Sequence, residues 1–204
     1  MFGPVAAIIT EGLDMSPFLW SLVALGSLLV SAPPASASGP AKKPEVTLQV
    51  LDWDQTEKLI AGHRGKVVVV DIWTTTCQTC LEGFPELVRL HERYGKDGLV
   101  CVSVACDYDG IADKPPEFYR PQVLRFLRQQ GATFENVLLS VPFVTFLEKI
   151  DLGSTPAVLI YNREGKRVRR FDNDEAESEA DEFSPEDVRQ LVEKLLKEKA
   201  PPAE

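Results

Sequence analysis

Cys77 and Cys80 stand two residues apart in Thr74-Thr75-Thr76-Cys77-Gln78-Thr79-Cys80, where a β-branched apolar run gives way to a helical pattern. Two thiols at this spacing can exchange electrons through a reversible disulfide, hold half of a metal site, or form an inert bridge. An inert bridge closing so short a loop gains little from chain entropy. At a helix N-terminus, unpaired N–H groups and the positive end of the helix dipole favour a thiolate, so Cys77 reads as the nucleophile. Cys80, one turn further in, is within reach of the Cys77 sulfur. It can break a mixed disulfide on Cys77 and release a reduced substrate.

Asp71 lies six residues before Cys77 inside the apolar run. An unpaired carboxylate is costly there, which raises its pKa towards neutrality and makes it a proton acceptor for Cys80. Pro85 falls inside the helix opened by the cysteines, where it removes a hydrogen bond. Pro156 follows Thr155 at the start of a strand, a place that suits a cis peptide bond turning a free backbone edge towards the dithiol. Cys101 and Cys106 are five apart on one strand and point to opposite faces, so they do not grip one ion together. Cys101 reads as a small buried hydrophobe and Cys106 as packing, with a third redox thiol as the alternative for Cys106. His63 reads as a loop residue and His91 as a helix-surface residue, neither of them a ligand.

The elements that must position these groups follow from the hydrophobic pattern. Residues 46–53 alternate as a strand, and Asp54 with Glu57 resembles a helix start. Residues 66–73 and 99–105 read as buried strands on either side of a helix over 81–94, an order that implies a right-handed parallel crossover. A polar loop over 107–121, a helix over 122–130, a short strand over 137–140 and a helix over 143–150 come next. Residues 155–161 and 166–171 form a hairpin. Ser184-Pro185 opens a last helix with Val188, Leu191, Val192, Leu195 and Leu196 on its apolar face. Residues 172–182, dominated by Asp and Glu, read as a solvated loop held open by self-repulsion, with an acidic docking patch or cation site as the alternative.

The whole chain has 204 residues, 44% of them hydrophobic, enough to bury a core. Its 22 Lys and Arg against 31 Asp and Glu give a formal charge of -9, which excludes a general nucleic-acid binder. Residues 18–30 are apolar and lead into a small-residue stretch ending Ala35-x-Ala37, the pattern of a cleaved secretory signal. We therefore expect a signal peptide over 1–37, a linker over 38–45, one domain over 46–199 and a disordered tail over 200–204, with a retained membrane anchor as the alternative. Glu11 and Asp14 precede the apolar run without a Lys or Arg, so Met15 is a second candidate start. Export places the dithiol in the periplasm or a comparable oxidising space, where it must be supplied with electrons to stay reduced.

Val70-Asp71-Ile72-Trp73, Cys77-Gln78-Thr79-Cys80, Glu82-Gly83-Phe84-Pro85, Thr155-Pro156 and the turn from Tyr161 to Lys166 occur in the order of the thioredoxin superfamily. The chain resembles its exported TlpA-like and ResA-like branch. The resemblance implies an α/β thioredoxin fold, a central mixed β-sheet flanked by helices, with a helical insertion before the cis-Pro strand. It also implies attack by Cys77, resolution by Cys80, assistance by Asp71, and a client surface of Trp73, Thr76, Thr155 and Pro156, with Trp73 packing below the dithiol. Thr76 stands where relatives commonly carry Trp. The expected activity is thiol:disulfide exchange on client proteins, with reduction favoured, in cytochrome c maturation or a similar assembly step. No cofactor and no metal are expected, because electrons pass through sulfur. A membrane thiol carrier would recharge a monomeric protein. Two other readings use the same residues. Thr74-x-x-Cys77 resembles the peroxiredoxin Thr-x-x-Cys, which suggests a thiol peroxidase, and the cysteine pair alone suggests a copper-delivery module.

Overall fold

The run Val67-Val68-Val69-Val70 becomes the middle of a six-stranded sheet in the computed structural model, which describes residues 45–178 and 180–198. The expected signal peptide, the linker up to residue 44 and the expected tail lie outside the described residues. In chain order the elements are β1 (Gln49–Leu51), α1 (Trp53–Ala61), β2 (Val67–Trp73), α2 (Gln78–Tyr94), β3 (Leu99–Ala105) and α3 (Pro116–Gln130). They continue with β4 (Glu135–Leu139), α4 (Phe143–Ile150), β5 (Ala157–Tyr161), β6 (Arg167–Phe171) and α5 (Pro185–Lys197). The strands lie in the order β1-β4-β3-β2-β5-β6. The first four are mutually parallel, β5 runs antiparallel to β2, and β6 runs antiparallel to β5.

Both faces of β2 are covered, which explains why it is apolar at every position but Asp71. Val67, Val69 and Trp73 face a core shared with Phe84 and Leu87 of α2, Val123 and Leu127 of α3, and Val188 and Val192 of α5. Val68, Val70 and Ile72 face a second core with Ile60 of α1 and Phe146 of α4. This is the expected mixed sheet between helical layers, and α3, β4 and α4 fill the stretch between β3 and β5. Among the described residues no helix is long and apolar enough to cross a membrane.

Several boundaries differ from the sequence reading. The first strand is shorter because Asp52, not Asp54, caps α1: Asp52 and Gln55 form a reciprocal capping box. Trp53 is thereby the first helical residue, and its ring packs 5.0 Å from that of Phe146. The third helix begins at Pro116 instead of 122. Proline at the first helical position forfeits only an N–H that has no partner anyway, and Pro121 is accommodated one turn later. α5 starts as read, with Ser184 and Asp187 capping each other.

Candidate active site

The dithiol sits where the parallel strand β2 ends and α2 begins. Cys77 is the N-cap of α2 in an extended conformation, and the Cys80 N–H donates to its Sγ at 3.2 Å. That bond meets one of the N–H groups left without an intrahelical partner, and the same donor stabilises a thiolate at Cys77. The two sulfurs are joined in a disulfide. Cys77 is half-buried, whereas Cys80 is only 3% exposed. An incoming reagent therefore meets Cys77 first. The Cys77 sulfur lies 3.4 Å from the Thr79 hydroxyl and 3.7 Å from the Thr155 carbonyl oxygen. The Thr155–Pro156 bond is cis, and both residues are half-buried beside the disulfide. Thr76 is exposed next to Cys77.

Asp71 shares the face of β2 that carries Val69 and Trp73. It pairs in register with Ser103 of β3 and Val158 of β5. Its carboxyl opens into a cavity of about 160 Å³ whose wall also contains Cys80 and Pro156. Burial pushes its pKa up to about 7, so it exchanges protons near neutrality beside the sulfur that needs a base. Trp73 corrects the reading of the client surface. It is 0% exposed and clustered with Phe84 at 5.0 Å and Phe126 at 4.9 Å, so it supports the dithiol from beneath and presents nothing to a client.

Three residues that the sequence reading left unassigned hold the turn before Cys77. Thr75 donates its N–H to Asp107 Oδ1 at 3.1 Å, its hydroxyl bonds the same oxygen, and Gln122 Nε2 donates to that hydroxyl. The Thr74 and Thr76 hydroxyls bond each other at 2.9 Å. Asp107 Oδ2 is buried with no hydrogen-bond partner, and burial raises the pKa of this carboxyl against the pull of the Thr75 bonds. The partners are 32 and 47 residues away from Thr75, so no local signal reveals them.

The acidic stretch is also more ordered than self-repulsion suggests. Asp172 and Asp174 both pair with Arg170, Asp174 accepts the Gly153 N–H at 2.8 Å, and Asn173 accepts the Phe183 N–H. Glu182 and Phe183 thereby reach the cavity beside Cys80. Cys101 and Cys106 point into opposite cores as read, at 0% and 1% exposure. Burial pushes both thiols up, so neither supplies a third reactive thiolate. His63 follows α1 in a turn. His91, expected on the surface, is half-buried against the Phe134 ring at 5.2 Å because α2 packs that edge over the sheet. Among the described residues no group of three or more His, Cys, Asp or Glu is placed to hold a metal ion.

The family model described as Redoxin matches residues 38–183. The chain belongs to the Redoxin family. Thiol-disulfide oxidoreductase ResA of Bacillus subtilis (strain 168) is 26% identical to this redoxin over 110 residues, 54% of this chain and 55% of the relative. NHL repeat-containing protein 2 of Gallus gallus is 45% identical over 58 residues, 26% of this chain and 8% of that protein. The redoxin thus spans about half the length of one curated relative and a small part of the other. A thiol-disulfide isomerase from Corynebacterium glutamicum superposes with a TM-score of 0.54 at 21% identity, covering 77% of this chain and 98% of that one. At that identity the likeness is one of fold, and the fold is the thioredoxin fold expected from the sequence.

Proposed function

We propose that this redoxin is an exported thiol:disulfide oxidoreductase that reduces disulfides in client proteins. The observation that carries the reading is the Cys77–Cys80 disulfide at the N-terminus of α2, with its half-exposed sulfur beside Thr155 and Pro156. In the reduced protein the Cys77 thiolate attacks one sulfur of a client disulfide. A Cys77–client disulfide forms, and the first client thiolate leaves and takes a proton. Asp71 accepts the proton of Cys80, and the Cys80 thiolate attacks the Cys77 sulfur. The second client thiolate departs, leaving a Cys77–Cys80 disulfide and a client dithiol. Two electrons have moved to the client, and an external dithiol, here a membrane thiol carrier, restores the pair. The backbone edge at Thr155–Pro156 holds the client segment in an extended form, with Thr76 flanking it.

Export is supported by the apolar run over 18–30 and the Ala35-x-Ala37 ending, and it places the reaction in the periplasm or a comparable space. A thiol-dependent assembly step such as cytochrome c maturation is the use suggested by the family likeness. The peroxidase reading finds less support: Thr74 is 5% exposed and its hydroxyl is taken by Thr76 instead of turning to Cys77. The test is reduction of insulin-type disulfides by the purified protein with an external dithiol, run beside peroxide consumption. Disulfide reduction exceeding peroxide turnover supports the proposal; peroxide turnover without disulfide reduction overturns it.

A further inference from the structure

We infer that the cavity beside Cys80 is a client subsite that receives one apolar side chain, of leucine to phenylalanine size, from a segment carrying a basic neighbour. The inference rests on the oxidoreductase reading and names the substrate class for that same site. The cavity measures about 160 Å³, and Val69, Leu87, Val158 and Val188 give it a largely apolar lining around the acid Asp71. Engineered apolar cavities of roughly 150 Å³ in another protein accept benzene, so a space of this size suits one such side chain. Cys80 and Pro156 share its wall. A client lying along Pro156 with its cysteine at Cys77 brings a neighbouring side chain to this opening.

Gly83 supplies an independent observation. It lies within α2 at the exposed edge of the cavity. A glycine inside a helix costs about 1 kcal/mol relative to alanine. Its backbone is not in the left-handed region, and a Cβ added there meets nothing within 4 Å. Neither the turn of the chain nor close packing calls for glycine at this position. With no side chain at this position, that edge of the cavity stays unoccupied.

The rim supplies the charge preference. Glu86 of α2 and Glu182 of the acidic stretch both border the opening. Glu86 shares its charge with Arg89 at 2.7 Å, so Glu182 is the stronger draw for a cation. In a chain of net charge -9, these carboxylates favour a Lys or Arg beside the apolar residue and repel an acid there.

The experiment uses the purified full chain and four disulfide-linked peptides that differ only beside the client cysteine: Leu or Ala at one position, Lys or Glu at the next. Wild type is expected to reduce the Leu peptides about tenfold more efficiently than the Ala peptides in kcat/KM, in line with a hydrophobic pocket of this size. It should also prefer Lys to Glu by several-fold. Gly83→Leu should bring the Leu-to-Ala ratio to about one, and Glu182→Gln should shrink the Lys preference while keeping the Leu preference. Gly83→Met provides the same filling if Gly83→Leu does not fold. Equal efficiency for Leu and Ala peptides with wild type overturns the subsite, as does a preference that survives filling of the cavity. Failure to reduce any of the four peptides, or insulin, would instead overturn the oxidoreductase reading itself.

Discussion

Cys77 caps a helix whose first turn holds Cys80, with one sulfur half-exposed, an N–H aimed at it, and an ionisable carboxyl opening into a shared cavity. Cys101 and Cys106 lie within and just after β3, nearly inaccessible, on opposite faces of the sheet. Burial raises both of their thiols, and the carboxylate of Asp71 pushes in the same direction. The residue type is the same in both pairs. What differs is whether the fold lets a negative charge on sulfur find donors and solvent, and that difference separates a redox centre from packing atoms.

The contrast is broken most severely at the nucleophile. Cys77→Ser should abolish disulfide reduction, and Cys80→Ser should accumulate client mixed disulfides on Cys77, visible on non-reducing gels. Equal trapping by the two variants would reverse the role assignment.

Asp71→Asn should slow turnover on the order of 100-fold and remove the rise in rate through pH 7 that ionisation of Asp71 produces. The same change should raise thermal stability at pH 8. Folding raises this pKa above its ordinary value of 3.8, so the folded chain holds a proton between about pH 4 and 7 that the unfolded chain has lost. Stability therefore falls as pH rises through that window and stays reduced above it. Replacing the acid should recover on the order of 3 kcal/mol at pH 8 and almost nothing at pH 3, as measured by denaturant unfolding.

A smaller effect is expected at the clamp before Cys77. Thr75→Val removes the hydroxyl between Gln122 and Asp107, and should cost about 1–2 kcal/mol and several-fold in turnover, with Thr75→Ser restoring most of both. The smallest catalytic effect belongs to the second cysteine pair. Cys106→Ala should leave disulfide reduction unchanged and destabilise by about 1 kcal/mol through the space it leaves. Alkylation of the reduced native protein should modify Cys77 quickly and reach Cys101 and Cys106 only after unfolding.

The strands and helices were legible wherever local chemistry dominates. The β-branched run of β2, the helical spacing after Cys80 and the Ser184 cap each carry their own signal within a few residues. Local chemistry misled at the first helix, where Asp54 resembles the cap although Asp52 holds that place through its capping box with Gln55, and Trp53 packs against Phe146. It also misled at α3, where three prolines over 115–121 resemble a loop although two of them fit within the first turns of a helix. The acidic stretch misled for another reason. Its charges are neutralised in part by Arg170, and that pairing holds Glu182 at the cavity.

The sequence alone determined the cysteine spacing, the helix that begins between the two thiols, and an acid embedded in an apolar strand, because each depends on residues adjacent in the chain. Tertiary structure decided the rest. The Asp107 clamp, the sealing of Trp73 beneath the dithiol and the cavity joining Asp71, Cys80 and Glu182 all require segments remote in sequence to meet. Burial and electrostatic coupling depend on distance in space, and only packing fixes that distance.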